Sequence, residues 1–173
     1  MLRFLIIIYL SFSCIIYANS EEVVHKDNRL DKINKTLSLV NISFGPAKFE
    51  TENPAYYLQI RNDFDINDNA SALMSWDFVL DEKYNSFSDV SIGGRFFPIS
   101  DKAAPFLGAN LGLGALRLSN INKFGFTFGV QAGVQFFRDS DLHLEIAVNY
   151  KRHLKYDSNI FGFVVGLSAP FIF

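Results

Sequence analysis

Cysteine is almost missing from this 173-residue chain: Cys14 is the one instance, and it lies within the first twenty residues. The remainder has no means of forming a disulfide or of using a thiolate. A surplus of basic residues is missing as well. The 16 Lys+Arg stand against 18 Asp+Glu, a formal charge of −2, so nothing points to a nucleic-acid partner. Histidine occurs three times, at His25, His143 and His153, without the close ligand spacing of a zinc site. No metal and no cofactor is expected. Past residue 20 the chain also lacks any uncharged apolar run of about 18 residues, so no helix is available to span a bilayer. What it has in quantity is phenylalanine, 19 residues of it, within a composition that is 49% hydrophobic.

The first twenty residues differ from the rest. Met1-Leu2-Arg3 supplies one positive charge, Phe4 to Ala18 carries none, and Tyr17-Ala18-Asn19-Ser20 ends in small residues. That order is a secretory signal peptide cleaved near Ser20. A retained helix and a lipoprotein anchored through Cys14 are the alternatives; the apolar run is short for the first, and Ser11-Phe12-Ser13 fits the second poorly. Loss of Arg3 leaves 15 basic residues against 18 acidic, a formal charge of −3. Residues 21–35 are dense in charges of both signs and read as a flexible periplasmic leader, with a short amphipathic helix as the alternative.

From about residue 36 the pattern changes to alternation. In Phe124–Phe136 every even position is apolar (Phe124, Phe126, Phe128, Val130, Ala132, Val134, Phe136) and every odd position is small or uncharged polar. A period of two over this length is a β-strand with two chemically different faces. Similar runs occur near Leu37–Gly45, Ala55–Asn62, Ser71–Asp81, Phe87–Phe97, Pro105–Arg117, Leu142–Lys151 and Ile160–Phe173, with turn residues between them. Eight strands of this length match the ~9–11 residues that cross a bilayer at a tilt. The expected fold class is all-β: an eight-stranded antiparallel up-and-down transmembrane barrel over residues 36–173.

Charge placement distinguishes lipid outside from water outside. A soluble barrel of the lipocalin kind would turn the apolar faces inward around a ligand. Its outer face would then present Gly, Asn, Thr, Gln and Ser in the central strands, with no Lys or Glu to blunt aggregation. In the membrane arrangement the glycines fill a narrow lumen, and Arg61, Asp77, Asp89, Arg95, Glu145 and Lys151 all fall on the inner face. Three positive and three negative charges imply a paired network that occludes the lumen, with Arg95–Glu145 across the periplasmic half and Asp89 with Lys151 towards the other end. Tyr56, Trp76, Phe97, Phe137, Tyr150 and Tyr156 are the candidate interfacial aromatics. Loops at the end away from the termini are expected near Pro46–Pro54, Asp81–Ser86, Ser119–Lys123 and Lys151–Asn159, short for an adhesin.

The segment Pro105-Phe-Leu-Gly-Ala-Asn-Leu-Gly-Leu-Gly, with Phe124-Gly-Phe to Gln131-Ala-Gly-Val, resembles the central hairpin of small OmpA-like outer-membrane barrels. Gly162-Phe-Val-Val-Gly166 to Phe173 is similar to the terminal strand read by the outer-membrane assembly machinery, with Phe163, Gly166, Phe171 and Phe173 as its signal. The resemblance implies a Gram-negative outer membrane, contact with lipid and lipopolysaccharide, a monomer, and a structural or surface-interaction role. The detached peptidoglycan-binding domain of larger relatives is not expected, since the sequence stops at Phe173. Some such barrels are lipid A acyl hydrolases carrying His-x-Ser-Asn and a glutamate. Here His153 and Ser158-Asn159 have those residue types at a different spacing, with His153 expected in a wet loop and His143 in the lumen. The expectation is no enzyme; lipid A hydrolysis and a small-solute channel remain the alternatives.

Overall fold

The computed structural model describes residues 38–49, 54–83, 85–118, 121–138, 140 and 142–170. The expected signal peptide, the leader and the terminal Phe171 and Phe173 lie outside the described residues. Eight strands follow one another: β1 (Ser38–Phe49), β2 (Pro54–Asn67), β3 (Ala70–Asp81), β4 (Ser86–Phe96), β5 (Ala103–Leu118), β6 (Ile121–Phe136), β7 (His143–His153) and β8 (Ser158–Pro170). Each pairs antiparallel with the next, and β1 also pairs with β8, closing the barrel. Closure leaves no edge strand, so the backbone satisfies its own hydrogen bonds as a spanning structure must.

The alternation sorts side chains between two surfaces. Phe126 is 68% exposed, Leu167 51% and Val130 40%, all on the outside. They line no central core, which removes the lipocalin arrangement. Glu145 and Arg61 are fully buried on the inside. An eight-stranded barrel leaves little room within, and the glycines supply it. A Cβ on Gly162 would lie 2.8 Å from Cδ2 of the Tyr57 ring, so only glycine lets that ring turn inward there.

Several strands run further than the alternation suggested. β1 continues through Gly45-Pro46 to Phe49. Its ladder with β8 skips from Phe44↔Val165 to Ala47↔Gly162, placing the proline where it has no N–H to give. The link between β1 and β2 is therefore residues 50–53 rather than Pro46–Pro54. β2 passes through Asp63 to Asn67, so the Asp/Asn-rich stretch is mostly strand, with a turn at Asp68-Asn69. The lumen is also less uniformly polar than expected. Ala55, Tyr57, Val79, Phe87, Leu116 and Ile160 are buried near the end away from the termini, within a cluster of buried apolar side chains that also includes Phe97 and Phe106. Phe97 and Phe106 pack at the other end, with ring centroids 5.8 Å apart. Phe97 is therefore no interfacial aromatic: it faces inward, and the Arg138 guanidinium lies 4.1 Å from its ring centre.

Candidate functional site

All six inner-face charges expected from the alternation are buried in the lumen, where they form two groups. The first is a closed ring of four. Arg61, from β2, meets Glu145, from β7, through two parallel bonds, Nη2–Oε2 at 2.6 Å and Nη1–Oε1 at 3.0 Å. Its Nε donates to Asp63 Oδ1 at 2.9 Å. Arg95, from β4, completes the ring through Glu145 Oε2 at 2.8 Å and Asp63 Oδ2 at 3.3 Å. The guanidinium of Arg95 also lies over the Phe106 ring, 3.5 Å from its centre. Two guanidiniums and two carboxylates balance, which is the condition for keeping them out of water.

The second group is centred on Lys151, from β7. Its Nζ donates to Asp77, to both oxygens of Asp89 at 2.8 and 2.9 Å, and to Ser91 Oγ at 3.0 Å. Asp77 and Asp89 stand directly opposite each other on β3 and β4. Neutral donors surround them: Tyr57 Oη and Gln59 Nε2 each donate to Asp77 at 2.6 Å, and Thr127 Oγ1 donates to Asp89 at 2.8 Å. Such charge-assisted bonds satisfy the carboxylate oxygens that one ammonium leaves over.

Asp63 is the member that sequence reasoning missed. The run near Ala55–Asn62 stops one residue short of it, because Asp63–Asn69, rich in Asp and Asn, reads as a turn. The alternation Tyr57, Gln59, Arg61 simply continues to Asp63, and that was the available signal. With it the two ionic groups hold three cations and four carboxylates rather than three of each, and Asp81, bonded to Asn85 at the end of β3, is a further buried carboxylate.

His143 is buried near the end that carries the termini, its Nδ1 3.1 Å from Gln135 Nε2. Phe163 is on the outer surface, and Gly166 faces the lumen against Ser43. His153 and Ser158 differ from the expectation of a wet loop. His153 ends β7, Ser158 opens β8, they are register partners, and both are buried. The alternation continues one step past Lys151, which turns His153 inward. Asp89, the carboxylate nearest in register through Thr127, is already held by Lys151 and Thr127. Among the described residues no group of three His, Cys, Asp or Glu side chains is arranged to hold a metal ion.

No family model matches the sequence, and no curated protein matches it. Solved structures do. Neisserial surface protein A superposes with a TM-score of 0.64 at 16% identity, over 78% of this chain and 97% of that one. The outer membrane enzyme PagL gives 0.55 at 14%, over 77% and 99%. The N-terminal β-barrel domain of Pseudomonas aeruginosa OprF gives 0.54 at 13%, over 75% and 96%. At these identities the likeness concerns the path of the backbone, and one of the three is an enzyme. Residues 38–170 thus have the fold of the small eight-stranded outer-membrane β-barrels.

Proposed function

We propose that this chain is an integral protein of a Gram-negative outer membrane, a monomeric barrel with a structural or surface-interaction role and a closed lumen. The observation that carries this reading is the sorting of side chains. Ile42, Phe44, Leu111, Phe126, Val148, Phe163 and Leu167 are exposed on the outside, while seven ionisable side chains are paired inside. A charge on a lipid-facing position near the bilayer midplane costs about 2–4 kcal/mol, and the described strands place none there. Lipid and lipopolysaccharide are then the first partners, with the assembly machinery reading the terminal strand that includes Phe163 and Gly166. Fractionation with a heat-modifiability gel tests the reading. The protein is expected in the outer-membrane fraction, with a mobility that changes on boiling; a soluble protein of unchanged mobility would refute it.

The closed lumen follows from what fills it. Two ionic groups occupy the middle, and apolar side chains fill both ends. Planar bilayers are expected to show no stable conductance steps. Hydrolysis is not proposed for His153 and Ser158, because neither imidazole nitrogen bonds to a carboxylate among the described residues.

A further inference from the structure

At the end of the barrel away from the termini lies a cluster that neither ionic group uses. The His153 ring is wholly buried, yet neither nitrogen has a hydrogen-bond partner among the described residues. The backbones of Gly114 and of His153 itself approach the ring without reaching hydrogen-bond geometry. A buried polar group left this way costs about 1–3 kcal/mol, so an unpartnered imidazole points to something that completes it. Tyr156 lies over the ring, with centroids 5.2 Å apart and planes at 44°.

Two ammonium groups converge on the same tyrosine. Lys123 Nζ, from β6, is 4.4 Å from its ring centre, and Lys155 Nζ, from the turn between β7 and β8, is 5.5 Å away. Neither lysine has an ion pair among the described residues, and Asp157 in that turn is engaged by Arg152 instead. Backbone contacts bring together the two segments that carry these lysines. Leu154 N–H donates to the Phe126 carbonyl at 2.9 Å, fastening the turn to β6. Gly125 lets it lie close: a Cβ there would sit 2.7 Å from His153 Cε1 and 3.3 Å from Lys155 Cβ. Two like charges held together beside an unsatisfied imidazole make a site of positive potential that an anion completes.

We infer that this mouth binds a phosphate monoester group. Its three acceptor oxygens can take the two ammonium groups and the Tyr156 hydroxyl together, where a carboxylate offers only two; the imidazole lies beneath the Tyr156 ring and is reached only when that ring turns aside. The inference rests on the proposed membrane placement, which sets this mouth at the outer surface. The group can reach it as a lipid headgroup or as a free phosphorylated solute.

The experiment uses the folded barrel in nanodiscs, following the backbone amides of Gly125 and residues 154–158 by NMR. One arm adds inorganic phosphate to phosphatidylcholine discs; the other replaces part of that lipid with phosphatidic acid, a membrane-bound phosphate monoester. Saturable shifts with free phosphate assign a soluble ligand, and shifts with phosphatidic acid alone assign a lipid headgroup. Each of K123Q and K155Q is expected to weaken binding about 5-fold. K123R and K155R, which keep the charge, are expected to retain it. No shift in either arm, an equal response to chloride at matched ionic strength, or affinity unchanged in both glutamine variants would overturn the site. Each variant is also run for its heat-dependent mobility shift. A barrel that shifts but does not bind removes this site and leaves the membrane reading standing.

Discussion

Arg61 and Glu145 meet across the lumen through paired bonds of 2.6 and 3.0 Å, although they belong to β2 and β7, strands that are not neighbours in the barrel. The contact ties opposite walls together. Glu145 also accepts from Arg95, so it is the shared anion of two guanidiniums. Replacing it by alanine leaves two buried cations underpaired. Glu145→Ala is expected to destabilise the folded barrel by about 3–5 kcal/mol in urea unfolding from lipid vesicles, where loss of one partner of a buried pair costs that much. Glu145→Gln keeps acceptor capacity and is expected to lose less.

The two faces are expected to respond oppositely to the same enlargement. Gly162 faces the lumen, and any Cβ there enters the Tyr57 ring. Gly94 faces outward, where an added Cβ meets nothing closer than a backbone oxygen at 3.4 Å. Gly162→Val is expected to cost about 1–3 kcal/mol, the range for overpacking. Gly94→Val is expected to change stability little. Midpoints of heat-dependent mobility loss for the two variants make the comparison.

Charge is expected to be tolerated inside and rejected outside. Val130→Arg, on the outer face near the middle of β6, is expected to lower folding stability by about 2–4 kcal/mol. Folding yield into vesicles, measured against Val130→Leu, reads this directly.

Hydrolysis offers a separate check. Membranes carrying the protein are expected to release no more acyl chains from lipid A than empty membranes, and His153→Ala is expected to leave that background unchanged. Release that depends on His153 would replace the structural reading with an enzymatic one.

Much of this architecture was legible because alternation is a local signal. Phe124–Phe136 states its two faces residue by residue, and the inner position of Arg95 or Lys151 follows by counting. What failed needed information that counting does not carry. Gly45-Pro46 looks like a turn, yet a closed barrel has a place for a proline where the ladder to β8 lapses. Phe97 looks like an interfacial aromatic, and only the path after β4 turns it inward against Phe106. His153 and Ser158 are five apart in sequence, and they face each other only because residues 154–157 make the turn.

The chain contains one tryptophan, Trp76, on the outward face of β3, with its Nε1 donating to Ser88 Oγ at 3.0 Å. Its fluorescence therefore reports what surrounds the barrel without any substitution. In vesicles whose acyl chains carry bromine, the orientation described here predicts strong quenching of Trp76 and little quenching by aqueous iodide. Iodide quenching with no effect of brominated lipid would contradict it.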